Sequence, residues 1–221
     1  MQKLERLFFV TSNEGKVASV TKTMAGLSLH IVCFNPVVST TGTEPSKPRE
    51  KRRQLKELRS NDVGEVARQK AFDALELVDQ PVVVQDAALI IPALGGFPGT
   101  VVGYALRTIG IDGIIALLRN GQKATWCHFD LCLAYFDNVL REPILFRSEV
   151  FGSLVEAPRG EDMVGAWSPL WQYFIPVGHW RTLAEMKPDE KALWRAELDE
   201  NVPGHYTTQF RKWLIAERGV C

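Results

Sequence analysis

Apolar and polar positions near the start of the chain change from a short continuous run to a helical repeat. Residues 4–10 form an apolar run that stops at the polar stretch 11–16. Beyond that stretch, four apolar residues recur at the spacing of one helix face: Val17, Val20, Met24 and Leu27. This pattern predicts a strand, a polar turn and a helix, and residues 31–38 predict a second strand.

The middle of the chain shows the same two kinds of pattern, a helical repeat and a continuous apolar run. Residues 63–78 carry apolar side chains at 3.6-residue spacing, which predicts a helix that buries one face. Residues 81–84 form a continuous apolar run that stops at Gln85 and Asp86. They predict a buried strand with an acid at its C-terminal end, and residues 109–118 predict a further helix.

From residue 125 onward, apolar side chains alternate with polar ones as far as residue 135, which predicts a half-buried strand. Asp137 begins a turn, and residues 144–154 predict an antiparallel partner. The repeat over 206–214 predicts a C-terminal amphipathic helix. The whole pattern predicts an α/β fold in which helices flank a mixed β-sheet.

Composition places the chain among ordinary globular proteins, with 221 residues, 46% apolar and 24% charged. We predict one domain over residues 1–221. We expect neither a membrane span nor a signal peptide, because no apolar run approaches the roughly 20 residues that a span needs. The four cysteines form no CxxC pair, which fits a reducing cytoplasm better than a disulfide framework.

Charge is balanced overall but uneven along the chain. Lys plus Arg and Asp plus Glu each total 26, so net charge gives no reason to expect a nucleic-acid partner. Residues 47–59, however, hold seven basic and two acidic side chains. Such a run is usually a solvated face or a mobile loop. The sharper alternative is a basic arm beside an anionic ligand, and a nucleic-acid-binding arm is a weaker one.

The polar turn 11–16 is the first candidate for chemistry. A turn between a strand and a helix offers backbone N–H groups and the positive end of the helix dipole, which together favour a phosphate. Lys16 would neutralise a phosphate oxygen. The alternative is that Ser12 or Asn13 only caps the helix.

Asp86 is the second candidate. A carboxylate at the end of a strand in an open α/β sheet can hold Mg²⁺ or activate a water. The alternative is an aspartate that caps the following turn. Glu57 and Glu65 are upstream acids able to share a metal with Asp86, and Mg²⁺ bound to a triphosphate needs only one or two protein carboxylates.

The order of the motifs resembles the inosine triphosphate pyrophosphatase family from about residue 7 to about residue 197. The segments that carry the resemblance are TSNEGK at 11–16, QKA at 69–71, VVVQD at 82–86, LGGFPG at 94–99, APRG at 157–160, AEM at 184–186 and EK at 190–191. The resemblance implies an elongated α/β homodimer with a cleft between two lobes. It also implies Mg²⁺-dependent hydrolysis of a nucleoside triphosphate to a monophosphate and pyrophosphate.

Site residues follow from the resemblance position by position. Thr11, Asn13 and Lys16 would bind phosphates, Lys70 would add positive charge at the triphosphate, and Asp86 would activate water or bind metal. Lys191 would lie near the nucleotide. The family's upstream metal-binding glutamate maps near Glu57, where the basic segment 47–59 resembles an insertion, and the C-terminal helical segment of about 198–221 extends beyond the resemblance.

The chain departs from the family pattern in the segments that read the base. The stretch GAWSP at 165–169 has Ser168 where the family has an aspartate, and Arg195 and its neighbours replace the family's Ser-His-Arg. Trp167 lies in the same segment, where we expect it to stack on the base, while the other aromatic residues nearby are better explained as core. The acid that precedes Asp86 in the family is replaced by Gln85.

These departures leave two functional hypotheses. The first is a metal-dependent nucleoside triphosphate pyrophosphohydrolase whose base specificity differs from that for ITP and XTP. The alternative is a catalytically weak nucleotide-binding or sensing protein that retains the fold. In either case we expect Ser168, Lys191 and Arg195 to contact the nucleotide, and we expect neither a membrane nor a nucleic acid as partner.

Overall fold

A computed structural model describes residues 4–36, 55, 58–161, 168–200 and 203–221. The strands in this part of the chain are β1 (Arg6–Val10), β2 (His30–Phe34), β3 (Val82–Ile90), β4 (Pro98–Gly99), β5 (Trp126–Phe136), β6 (Ile144–Leu154) and β7 (Phe174–Pro176). The α-helices are α1 (Glu14–Thr23), α2 (Val63–Val78), α3 (Val102–Thr108), α4 (Gly110–Asn120), α5 (Pro188–Glu200) and α6 (Tyr206–Arg218). Two short 3₁₀ turns span Pro92–Leu94 and Pro169–Gln172.

The strands form one mixed sheet in the order β2-β1-β3-β5-β6-β7, and β4 pairs with the end of β3. β1 is parallel to both β2 and β3, whereas β3, β5, β6 and β7 are antiparallel to one another in turn. The predicted α/β fold with helices around a mixed sheet is therefore confirmed.

Helices α1 and α2 cover opposite faces of the sheet. Val20 of α1 packs in one core cluster with Val83 of β3, while Ala71 of α2 packs in a second cluster with Val84. Helix α1 connects β1 to β2, which lies on one side of β1 in the sheet. Helix α2 then connects β2 to β3, which lies on the other side of β1. Such a switch point leaves a crevice beyond the carboxyl end of the central strand, which is where open α/β sheets bind ligands.

One prediction about β3 is wrong. The apolar run 81–84 was expected to end at Asp86, but β3 continues to Ile90 and Asp86 lies in its middle. The reason is that β3 pairs with β5 along its whole length, from Val82 opposite Phe136 to Ile90 opposite His128. The pairing partner, which the local pattern does not show, satisfies the backbone hydrogen bonds beyond Asp86.

Most of the other predicted elements are confirmed within a few residues. The helix over 63–78 matches α2, the antiparallel pair matches β5 and β6, and the C-terminal amphipathic helix matches α6. The first helix is shorter than predicted, because α1 ends at Thr23 and leaves Leu27 in the following turn.

Several sequence predictions fall wholly or partly outside the described residues, including the end of the strand predicted over 31–38. Glu57 and Trp167 are among them, and so is the basic segment 47–59 apart from Leu55, Leu58, Arg59. In the part of the chain that the structure does describe, no helix is both long and apolar enough to cross a membrane.

Candidate active site

The loop after β1 is held by its own side chains. The backbone N–H of Asn13 donates to Oγ1 of Thr11 at 3.1 Å, and Oδ1 of Asn13 accepts from the backbone N–H of Lys16 at 3.2 Å. Asn13 is therefore the N-cap of α1, as the alternative interpretation of this turn proposed. The cap fixes the start of α1 at the mouth of the crevice, so the positive end of the helix dipole would face an anion bound there.

Lys16 reaches across the crevice to β3. Its Nζ donates to the backbone carbonyl of Gln85 at 3.2 Å, beyond the point where β1 ends. Burial lowers the pKa of Lys16, the negative charge of Asp86 opposes that shift, and the positive charge of Lys70 adds to it. An ammonium group in this position is partly withdrawn from water, and its charge interacts with both other charged groups of the site.

Lys70 and Asp86 form an ion pair on the α2 side of the sheet. Lys70 is on the face of α2 that packs against β3, and its Nζ contacts Oδ2 of Asp86 directly. The other carboxylate oxygen, Oδ1, accepts from the backbone N–H of Ala87 at 2.9 Å. Because Asp86 is only 7% exposed, this ion pair is shielded from solvent. Lys70 thus contacts the carboxylate of Asp86, while Lys16 contacts the backbone carbonyl of the residue before it.

Gln85 has no obvious partner for its side chain. Side chains alternate along β3, with Val83 and Ala87 in the core cluster of α1 and Val84 in that of α2, so Gln85 lies on the α1 side. The residue is 8% exposed, and its Oε1 is buried without a hydrogen-bond partner among the described residues. Burial of an amide oxygen that finds no hydrogen-bond partner in the protein costs free energy.

Replacing this amide should therefore stabilise the protein. We expect Gln85→Met to raise the free energy of unfolding by about 1 kcal/mol, since methionine fills a similar volume without a polar group. Urea denaturation followed by tryptophan fluorescence measures the change. Gln85→Glu is the matched control and should have the opposite effect, because it buries a charge. A Gln85→Met protein less stable than the wild type would mean that the amide has a stabilising partner.

Ser168, Trp171 and Lys191 form a second group. Ser168 is buried, and its Oγ accepts from the backbone N–H of Leu170 at 3.3 Å at the start of the 3₁₀ turn. Lys191 of α5 places its Nζ 5.3 Å from the ring centre of Trp171, and burial lowers the pKa of this lysine. The backbone N–H of Trp171 also donates to the carbonyl of Ser168 at 3.3 Å. The structure therefore joins Ser168, expected to contact the base, and Lys191, expected near the nucleotide, through Trp171.

Arg195 is engaged elsewhere. Its guanidinium group contacts the ring of His205 and Oγ of Ser19, which lies on α1. Sequence reasoning missed Trp171 and His205 as partners of the expected site residues. Trp171 was treated as core, and nothing in the local pattern around residue 205 indicates that it meets α5.

Comparison with known proteins identifies the family. A profile of the Ham1 family matches residues 7–195, which is most of the chain. The chain belongs to the Ham1 family. The resemblance inferred from the motif order is thereby confirmed.

Relatives in the Ham1 family include named enzymes. The dITP/XTP pyrophosphatase of Thermococcus kodakarensis is 35% identical over 84% of this chain and 88% of its own length. The inosine triphosphate pyrophosphatase 2 of Trypanosoma cruzi is 32% identical, with 84% of this chain and 83% of that protein covered. Among solved structures, a HAM1 protein from Coxiella burnetii has a TM-score of 0.67 at 19% identity, covering 96% of this chain and 100% of its own. That likeness supports the fold of the Ham1 family for this chain.

Proposed function

We propose that this protein hydrolyses a nucleoside triphosphate to a nucleoside monophosphate and pyrophosphate. The observation that carries the proposal is the arrangement around Asp86: Lys70 contacts its carboxylate, and Lys16, bonded to the carbonyl of Gln85, lies near enough for its charge to interact with that of Asp86. Two ammonium groups around one carboxylate leave an excess of positive charge, which suits a polyphosphate. Relatives named as dITP/XTP and inosine triphosphate pyrophosphatases support the same reaction.

The lysines act on the phosphates. In the reaction, water adds to phosphorus, the bridge between the α- and β-phosphates breaks, and pyrophosphate leaves with the bridging oxygen. Lys16 and Lys70 neutralise oxygens on which negative charge builds up, and they do so in a partly desolvated site where such interactions are strong. Thr11 and Asn13 hold the loop that presents the N-terminal amides of α1 to the phosphates.

Asp86 is proposed as the group that orients the attacking water and accepts its proton. For Asp86 to do so, Lys70 must shift from its carboxylate to the incoming phosphates, which attract it more strongly because they carry several charges. Binding of the triphosphate would therefore free the carboxylate of Asp86 to accept a proton from water.

The same carboxylate fits a magnesium ion that arrives with the nucleotide. Among the described residues, no group of three or more His, Cys, Asp or Glu side chains is placed to hold a metal. Asp86 supplies one carboxylate, and Mg²⁺ on a triphosphate commonly takes only one or two from the protein. Glu57, proposed as a second ligand, lies outside the described residues. When bound, the ion would neutralise phosphate charge.

We further propose a base specificity that differs from that for ITP and XTP. Ser168 stands where the family resemblance implies an aspartate, and its hydroxyl already accepts a hydrogen bond from Leu170. A hydroxyl in place of a carboxylate removes a strong acceptor from the base site. Trp167 is proposed to stack on the base, and Lys191 to lie beside it.

A panel of ordinary, deaminated and modified nucleoside triphosphates with Mg²⁺ tests both proposals. We expect equal amounts of monophosphate and pyrophosphate by chromatography, with a preferred base other than hypoxanthine or xanthine. Diphosphate and orthophosphate as products would contradict the reaction, and a wide preference for ITP would contradict the specificity. Tight nucleotide binding without turnover would favour the alternative function, a nucleotide-sensing protein, for which the replacement at Gln85 is the motivating observation.

Three more general properties also belong to the proposal. We propose a homodimer, as the family resemblance implies, and a single domain over residues 1–221. A cytoplasmic location is supported by the free thiols of the cysteines, two of which, Cys127 and Cys132, are buried.

A further inference from the structure

The guanidinium group of Arg195 joins three helices. Its Nη1 lies 3.3 Å from Nε2 and 3.5 Å from Nδ1 of His205, which directly precedes α6. Its Nη2 lies 3.5 Å from Oγ of Ser19 on α1, and its carbon Cζ lies 5.3 Å from the ring centre of Trp194 on α5. Arg195 is half-buried. The aliphatic part of its side chain is covered by protein, and its guanidinium group contacts both α1 and the residue before α6.

His205 is suited to this contact because it is neutral. Burial and the adjacent Arg195 charge lower the pKa of His205 to about 3. Nδ1 of the ring bonds to Oγ1 of Thr207 at 2.8 Å. Because Nη1 of Arg195 is almost equally far from both ring nitrogens, it contacts the imidazole ring rather than the lone pair of either nitrogen. A neutral ring permits this contact, whereas a protonated ring would repel the guanidinium group.

The start of α6 is itself fixed to α5. The backbone N–H of His205 donates to Oδ1 of Asp199 at 3.0 Å, and Oγ1 of Thr208 donates to Oδ2 of the same residue at 3.0 Å. Asp199 therefore ties the start of α6 to α5, and it holds the backbone of His205 in place beside Arg195.

The two helices that Arg195 connects, α1 and α5, carry different residues of the proposed site. Helix α1 begins at the phosphate loop and carries Lys16, one turn before Ser19. Helix α5 carries Lys191, one turn before Arg195, beside Trp171. The contact between Arg195 and Ser19 thus lies where the helix on the phosphate side meets the helix on the base side.

We propose that Arg195 is a positioning residue that, held by His205, sets the distance between two sets of side chains. These are the phosphate-side residues (Lys16, Lys70, Asp86) and the base-side residues (Ser168, Trp171, Lys191). This inference rests on the proposed function. A nucleotide must satisfy both groups at once, so a change in the separation of α1 and α5 weakens the binding of the whole molecule. Inorganic tripolyphosphate contacts only the phosphate-side residues, so its binding is insensitive to the distance between α1 and α5.

Arg195→Met tests the proposal, because methionine keeps much of the apolar stem but loses the guanidinium group. We expect KM for purine and pyrimidine triphosphates to rise by the same factor, about tenfold, while the Kd for tripolyphosphate measured by calorimetry changes less than twofold. His205→Leu should give the same pattern, and the double variant should add little to either single change. Arg195→Lys, which keeps charge without the planar fork, should recover only part of the effect.

Three results would overturn the proposal. Equal loss of tripolyphosphate and nucleotide affinity would show general damage to the fold. A loss confined to one base, or an effect of Arg195→Met that His205→Leu does not share, would show direct contact between Arg195 and the substrate. An unchanged KM would show that the contact does not position the site. If the wild type releases no pyrophosphate, the proposed reaction fails, but calorimetry with a non-hydrolysable triphosphate still tests the positioning.

Discussion

Asp86→Asn should lower kcat by about 10³-fold while leaving nucleotide affinity intact or improved. The amide keeps the shape of the carboxylate and its hydrogen bond from Ala87, but it neither accepts a proton from water nor pairs with Lys70. Loss of the negative charge leaves Lys16 and Lys70 unopposed, which favours an anionic ligand. Steady-state pyrophosphate release, together with calorimetric titration of a non-hydrolysable triphosphate, separates the two effects.

Asp130→Asn is the matched control. Asp130 lies on the α2 side of the sheet, as Asp86 does, and pairs with Arg147 at 2.9 Å rather than with a lysine of the site. We expect its kcat to stay within a few-fold of the wild type. A loss of the same size in both variants, or an Asp86→Asn protein with kcat within tenfold of normal, would remove Asp86 from its proposed role.

Gly152→Ala should be the most destabilising single-methyl substitution that we predict, lowering the free energy of unfolding by about 3 kcal/mol. Gly152 lies in β6, opposite Pro176 of β7. A Cβ atom there would overlap the backbone oxygen of Ile175 and the ring of Phe174. Neither can move easily, because Phe174 is fully buried and Ile175 is part of β7. Guanidinium denaturation measures the loss.

Gly103→Ala offers the comparison for this substitution. Gly103 is in α3, and a Cβ atom at that position meets only Nη1 of Arg107, at an ordinary distance of 3.5 Å. Alanine also has a better helix propensity than glycine, so this variant should be as stable as the wild type or slightly more stable. Equal unfolding midpoints for the two variants would contradict the steric explanation at Gly152.

Elements with a strong local pattern could be predicted from the sequence. Helix α2 matches its predicted span because apolar side chains recur along its whole length, and β5 with β6 matches because alternation is a property of each strand alone. The length of β3 could not be predicted in this way. Its local pattern stops at a polar pair, and only the pairing with β5 shows that the strand continues through Asp86.

The candidate site divides along similar lines. The phosphate-side residues, including Lys70 and Asp86, could be proposed from residue type, order and family resemblance. The structure brings these two residues together. The contacts of Arg195 could not be foreseen, because Ser19 is 176 positions away and His205 precedes a helix that lies beyond the resemblance. The orphaned amide of Gln85 is likewise visible only once burial is known.

The two groups of site residues also come from separate stretches of the chain. The phosphate-side residues fall between Thr11 and Asp86, in the loop after β1, on α1, on α2 and on β3. Ser168, Trp171 and Lys191 come from a later stretch that contributes one short strand to the edge of the sheet. On the proposed roles, substitutions in the later stretch alone would therefore change which nucleotide is accepted, without rebuilding the residues proposed to act on its phosphates.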